Sequence, residues 1–365
     1  MSGRAADVSP RPDVVMVYGF WGQNIGNAFF NVGGEWALRQ AFGPARVGRI
    51  QDQPGYRTFH RQSTGNPANA LDLVASVEAS VLVLQGPMLT ETFQALWGPT
   101  FAALRAKGTR ILLLGAALFR FSADEVASAR RFLRDTGVWA MSTRDHDTYE
   151  ALGGEVEHAH DGIDSAFFVP DAVRPPALDL GPYYCFAFDR YPEPTIGAGS
   201  GRGSRSFEHD GRTWTLREPK LAGHLARRGK AQAYIGHLLD RRSLPESLDG
   251  RRIVRPEHRT NPHVTWKVYR HPGAVASDEP YTYFALYEQA DLTLSDRVHA
   301  CVATLAYGRP AMLFSPTPRA RLFDRLGVGD VRQRPVVLDR EVLAAAKADE
   351  LAFLEGLSTE VRSPA

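Results

Sequence analysis

Short apolar runs alternate with amphipathic stretches along most of the chain. Val14 to Tyr18 (VVMVY) is β-branched and apolar on successive positions, the pattern of a strand buried on both faces. GFWGQNIGN follows, and the spacing then predicts a helix over 28–42. A second strand is predicted over 45–50, and a polar stretch, QDQPGYRTFHRQSTGNPANA, comes after it. Leu71 to Val77 predicts a helical turn or two, and SVLVL at 80–84 a strand ending in Gln85-Gly86-Pro87. A helix over 93–107 stops at Gly108, and RILLL at 110–114 is the next strand. A helix over 123–136 has Ser122 as cap and Gly137 as stop. Then come a strand over 138–141, a helix over 144–152 capped by Thr143 or Asp145, and a strand over 156–159. Strand–helix units at this spacing predict a parallel sheet covered by helices.

The pattern breaks at VPDAVRPPALDLGP, a proline-rich stretch that reads as a linker, and then resumes. YYCFAF at 183–188 is a strand. Residues 195–217 read as a loop excursion with a small hairpin at Asp210-Gly211. A helix over 220–239, a strand over 252–254 and a helix over 281–289 capped by Asp278 follow. A strand at 292–294, a helix over 296–307, a strand at 311–314 and helices over 319–326 and 340–357 complete the chain. The predicted organisation is a flexible N-terminus at 1–13, an α/β domain at 14–175 and a second α/β domain at 180–358. At roughly 150 residues per domain, 365 residues agree with two. The fold class is α/β: two Rossmann-like domains facing a central cleft, the arrangement called GT-B-like, with strand C-terminal ends toward the cleft.

Composition removes several classes. Apolar residues make up 44% and charged residues 23%, so neither a disordered chain nor a fibre is expected. The longest strongly apolar run, Ile111 to Phe119, is half of what a membrane span needs. Two cysteines cannot build a disulfide framework, and the N-terminus has no apolar signal core, so a cytoplasmic setting is expected. A net charge of +2 gives no reason to expect nucleic acid. All but five of the 43 basic residues are arginine, however, which leaves many planar forks for carboxylate or phosphate. In the final helix, Val342, Ala345, Ala346 and Phe353 could close the domain or meet a second copy in a homo-oligomer.

The sharpest local signal is DLTLSDRVHACVATLAYGRP. A strand ends at Leu294, Ser295 or Asp296 caps the next helix, and Arg297 and His299 sit in its first turn. A cation there opposes the helix dipole, so it needs a reason. One is an anion held by the amides and the guanidinium together; the other is a salt bridge to a nearby aspartate with His299 packed. Arg144 also follows a strand at a helix start, where an ordinary capped surface helix is the plain alternative. In GQNIGN, Gly22 and Gly26 permit a tight backbone near a ligand, but GxGxxG, the phosphate loop and the GxSxG elbow are absent. RPEHRTNPH places Glu257, His258, Arg259 and His263 after a strand without a metal-site spacing, so no metal is expected.

Taken in order, these segments resemble the polysaccharide pyruvyl transferase family. The family's Asn-x-Gly-Asp is matched by Asn24-Ile25-Gly26-Asn27, with Asn27 for the aspartate. Its glycine-rich strand end is matched by VLVLQGPMLT, where Gln85-Gly86-Pro87 replaces a glycine pair. RILLLGAAL, Arg144-Asp145 with Leu152-Gly153, and Asp164-Ser165-Ala166-Phe167 follow. Ser295, Arg297, His299, Gly308 and Pro310 match its C-terminal signature. The resemblance implies transfer of the pyruvyl group of phosphoenolpyruvate to two hydroxyls of a sugar, glycan or glycosylated small molecule, with release of phosphate. It implies a donor site of Arg297, Arg144, Arg259 and Ser295, proton transfer by His299, and a base at Asp164 or Glu257. Asn24, Gly26, Asn27 and Gly86 then belong to a loop that approaches the acceptor. Phosphoenolpyruvate is a substrate here, and no cofactor is implied. Two alternatives stay open: a glycosyltransferase of the GT-B fold using a nucleotide sugar, with its diphosphate at the Arg297 helix start, or a catalytically silent carbohydrate-binding homologue.

Overall fold

The computed structural model describes residues 11–19, 24–51, 71–189, 191–197, 204–228, 244–258 and 271–362, and also residues 232, 235, 236 and 239. They group into two compact units. The first gathers the chain up to Gly19, Phe30–Phe168 and the chain from Ala345 onward; the second gathers the stretch ending at Phe29 and Val169–Ala344. The chain thus passes between the units several times, where the sequence suggested one boundary near 175–180. Among the described residues no helix is long and apolar enough to cross a membrane.

The first unit holds a six-stranded parallel sheet. Its strands are β1 (Val14–Tyr18), β2 (Val47–Gln51), β3 (Val81–Gln85), β4 (Arg110–Ala116), β5 (Ala140–Thr143) and β6 (His158–Asp161). They lie in the order β2-β1-β3-β4-β5-β6. β1 and β3 are buried at every position, which is why they read as unbroken apolar runs. The helices are α1 (Gly26–Phe42), α2 (Glu91–Ala106), α3 (Ala123–Thr136) and α4 (His146–Leu152). Thr90 and Ser122 cap α2 and α3, each accepting an N–H three residues on. Trp97 and Phe101 of α2 and Phe132 of α3 pack on Leu82, Leu84, Ile111 and Leu113. Asp145, one of the two expected caps, caps α4 by accepting the Thr148 amide; two boundaries move from expectation, α4 starting at His146 instead of Arg144 and β6 lying two residues further along than 156–159.

The last helix of the chain, which we label α8 (Arg340–Arg362), groups with this unit from Ala345 on. A buried carboxylate holds it there. Glu350 Oε2 accepts from Ser142 Oγ at 2.9 Å and from the Ile163 amide at 3.1 Å. Phe353 stacks on His160 with ring centroids 4.9 Å apart. Of the apolar positions read from the sequence, Ala346 is buried and Phe353 half-buried on the first unit, whereas Val342 and Ala345 are exposed.

The second unit has its own sheet, in the order β11-β12-β7-β14-β15. These are β7 (Tyr183–Ala187), β11 (Ser247–Leu248), β12 (Arg251–Pro256), β14 (Leu292–Ser295) and β15 (Ala311–Leu313). All pairings are parallel except β11 with β12. β13 (Ala274–Val275) adds in parallel to β12. The α/β architecture expected of both halves is present in each unit. The small hairpin expected at Asp210-Gly211 is present as β9 (Ser204–His209) and β10 (Arg212–Arg217), and β8 (Thr195–Gly197), read as loop, joins it in a three-stranded antiparallel sheet. Its core side chains Phe207, Trp214 and Leu216 pack on Tyr184 and Phe186 of β7. α5 (Lys220–Arg228), α6 (Tyr281–Gln289) and α7 (Val298–Ala306) complete the unit. Pro280, not Asp278, stands at the start of α6.

Candidate functional site

In the second sheet β7 lies between β12 and β14. The chain leaves β7 for β12 on one side and later returns to β14 on the other. The C-terminal end of β7 is therefore a topological switch point, where open α/β sheets form their crevice. Three strand exits deliver side chains to it: Asp189 after β7, Glu257 and His258 after β12, and Asp296 and Arg297 after β14.

The Ser295-Asp296-Arg297 turn is built by local hydrogen bonds. Ser295 is fully buried; its Oγ donates to the Ala187 carbonyl at 2.9 Å and accepts from the Arg297 amide at 2.8 Å. Ser295 thus ties β14 to β7. Asp296 accepts the amides of Asp189 at 3.3 Å and Tyr191 at 2.6 Å, fixing the exit loop of β7. Ser295→Ala is expected to lower stability by about 1–3 kcal/mol through loss of both bonds. A thermal unfolding curve unchanged from the parent would refute this.

Arg297 stands at the N-cap of α7 without a side-chain cap of its own. Its Nε lies 3.2 Å from Asp189 Oδ2, and its Nη2 donates to Asn24 Oδ1 at 2.6 Å. Asn24 Nδ2 in turn donates to Asn27 Oδ1 at 3.1 Å. Among the described residues, Nη1 of Arg297 makes no hydrogen bond. The guanidinium is thus fixed by a carboxylate and an amide, with one edge left.

His299 is buried in the first turn of α7. Gly26, the first residue of α1, lies against it: a Cβ there would meet Asn24 Oδ1, His258 Nδ1 and His299 Cβ, each at 3.3 Å. This close approach is why a glycine follows Asn24-Ile25. His258 is wholly buried among Phe29, Tyr283 and Tyr287, and its Nε2 pairs with the Tyr287 hydroxyl. Burial pushes its pKa down to about 3; Asp189 opposes that, while Arg297 and His299 add to it. His258 is therefore a neutral positioning group. Glu257 is buried too, and its carbonyl accepts from the Tyr283 hydroxyl at 2.6 Å.

Asp189 and the positioning role of His258 were missed from sequence. Asp189 carries a usable signal, being an acid within two residues of a buried strand's end.

Three expected site residues lie in the first unit. Arg144 and Asp164 are both 1% exposed and form an ion pair, with Nη1 donating to Oδ2 at 3.2 Å. Asp164 Oδ1 also accepts the Ala166 amide. Arg144 is a buried cation here instead of a surface helix residue, and Asp164 is its partner. Gly86 has φ +59°, and a Cβ would press on the Phe30 ring at 3.0 Å. It turns the chain beneath α1. Arg259 and His263 lie outside the described residues.

Beside the Arg297 turn the second unit contains a cavity of about 590 Å³. Its walls are the exits of β7 and β15, with Phe188, Tyr191 and Phe314, together with Arg205 of β9 and Glu218 just beyond β10. Phe188 and Phe314 meet edge to face, centroids 5.4 Å apart. Pro192, Pro194, Pro219 and Pro316 stiffen the rim. The Phe314 amide donates to the Ser295 carbonyl at 2.7 Å, so the cavity wall and the Arg297 turn are neighbours along the sheet edge.

No family model matches the chain, and no curated protein matches it either. Among solved structures, MnaA of S. aureus, solved with UDP, is 12% identical, with 95% of this chain and 90% of that one covered at a TM-score of 0.46. A putative UDP-N-acetylglucosamine 2-epimerase from Listeria monocytogenes is 12% identical, with coverage of 96% and 91% and a TM-score of 0.48. The UDP-N-acetylglucosamine 2-epimerase of Rickettsia bellii is 11% identical, with 96% of each chain covered and a TM-score of 0.48. Identities and scores this low leave the chemistry of this chain to its own residues. The expected membership of the polysaccharide pyruvyl transferase family, with phosphoenolpyruvate as partner, is corrected. No family model carries it, and these similar structures are named as epimerases of a nucleotide sugar.

Proposed function

We propose that the chain is an enzyme acting on a nucleotide sugar, with the nucleoside diphosphate received by the second unit. The observation that carries this is the 590 Å³ cavity, with its aromatic wall, next to a helix N-terminus headed by Arg297. The volume lies in the range of small-molecule sites, and the aromatic rings suit a stacked base. The amides of the first turn of α7 and the remaining edge of Arg297 suit a diphosphate.

Chemistry at the anomeric carbon follows from that placement. The C1–O bond breaks, its electron pair leaves with the diphosphate while fixed donors stabilise the charge that develops there, and an incoming water or hydroxyl oxygen forms the new bond to C1 and gives up its proton to solvent. Asp189 and Asn24 hold Arg297 so that it need not reorganise as that charge forms. His299, in the same turn, is the candidate proton donor to the departing oxygen. A cytoplasmic setting fits Cys185 and Cys301, both free and buried.

The test is incubation with a panel of nucleotide sugars, scored by mass for free nucleoside diphosphate and for the altered sugar. Turnover is expected with at least one member. Arg297→Ala is expected to lower diphosphate affinity at least tenfold, about 1.4 kcal/mol. Failure of every nucleoside diphosphate to bind in calorimetry would overturn the reading.

A further inference from the structure

We infer that Ser315 reads the ribose diol, so that the substrate class is a ribonucleoside diphosphate sugar with its 2′ and 3′ hydroxyls intact. The inference rests on the nucleotide reading of the cavity and goes one step beyond it.

Ser315 is the second residue after β15. It is 6% exposed and lines the cavity. Among the described residues its hydroxyl makes no hydrogen bond. Pro316 follows it and disfavours any but extended backbone at Ser315, which limits where the hydroxyl can go. A hydroxyl nine-tenths buried and without a protein partner is an exception among folded chains, and it calls for a group from outside.

Its place in the sheet says which group. β15 runs parallel to β14 with Leu313 opposite Ser295, and the Phe314 amide carries the pairing one step further to the Ser295 carbonyl. Arg297 stands two residues beyond Ser295, and Ser315 two beyond Leu313. The chain therefore delivers Ser315 to the sheet edge that carries the Arg297 turn, directly after the aromatic ring of Phe314. A nucleotide with its base on the aromatic wall and its diphosphate at the Arg297 turn has its ribose between the two. The diphosphate only accepts, and amides and a guanidinium serve it. The ribose hydroxyls both donate and accept, as the serine hydroxyl does, so either can fill the vacancy in either direction. The aromatic wall is indifferent to base identity, because every base has a π-face, and adds nothing to this choice. A nucleotide that fills the cavity without the matching hydroxyl strands Ser315, and a stranded buried hydroxyl is what rejects such an analogue.

The experiment is calorimetric titration of the full chain with UDP, GDP, CDP and ADP, then with the 2′-deoxy and 3′-deoxy forms of the tightest binder. At least one deoxy form is expected to bind fivefold or more weakly than the intact nucleotide. In Ser315→Ala, checked for folding by thermal unfolding, that penalty is expected to fall below twofold, because the hydroxyl it strands is gone. A penalty under fivefold for both deoxy forms in the parent would overturn the ribose assignment and leave the nucleotide reading standing. So would a penalty that stays at twofold or more in Ser315→Ala, which is the result if the serine serves the diphosphate or only the fold. Absence of binding by all four intact diphosphates would overturn both. The deoxy comparison in the parent needs no variant, so the inference stays testable if Ser315→Ala does not fold.

Discussion

Arg144→Ala is expected to destabilise the first unit by about 3–5 kcal/mol, because it strands a buried carboxylate. Arg144 and Asp164 are each 1% exposed and meet at 3.2 Å. Their mutual attraction roughly offsets the cost of removing both from water, so the pair itself adds little. Taking one member away leaves Asp164 charged, buried and short of its strongest donor. The double variant Arg144→Met with Asp164→Leu removes both charges and keeps much of the volume, so it is expected to be more stable than Arg144→Ala. Denaturant midpoints of the three proteins check this. A ligand-gripping arginine would behave in the opposite way: Arg144→Ala would lose binding and keep its midpoint. Equal midpoints for parent and Arg144→Ala would therefore return Arg144 to the binding machinery.

That contrast shows what a linear reading can see. β1, β3 and β4 are legible because strands buried on both faces must be apolar at every position. The helix start at Arg297 is legible because a cation at a helix N-terminus is locally unfavourable and demands a partner. The partner itself is not legible. Asp189 and Asn24 come from strand and helix ends about 100 and 270 positions away, and only the order of strands brings them together. Glu350 is hidden for another reason: a glutamate in an amphipathic helix reads as surface, and only the tertiary fold seals it against Ser142 and Ile163. The hairpin of the antiparallel sheet was legible at Asp210-Gly211, while its third strand, β8, was not. RSFEHDGRTWTLR alternates around an Asp-Gly turn, and Phe207, Trp214 and Leu216 are its buried positions. β8, three residues long, shows no such alternation.

His258 gives the second unit an acid limit. Its ring is sealed by Phe29, Tyr283 and Tyr287, and its pKa is pushed down to about 3 from an ordinary 6.5. The unfolded chain takes up a proton near 6.5 and the folded one does not, so the unfolded state binds more protons between those values. Stability from this group is complete above about pH 6.5 and is lost as the pH falls toward 3, by about 1.4 kcal/mol per pH unit. The neighbouring charges set its sensitivity: Asp189 favours the imidazolium, while Arg297 and His299 disfavour it. Between pH 7 and 5 the second unit is expected to lose about 2 kcal/mol. His258→Phe removes the titration, so its denaturant midpoint is expected to start lower, without the Tyr287 bond, and to fall less over the same range. Parallel pH profiles for parent and variant would show that His258 is charged or hydrated in the fold. The Arg297 turn would then rest on a mobile neighbour instead of a fixed one, and diphosphate affinity would follow the His258 titration instead of staying level down to pH 6.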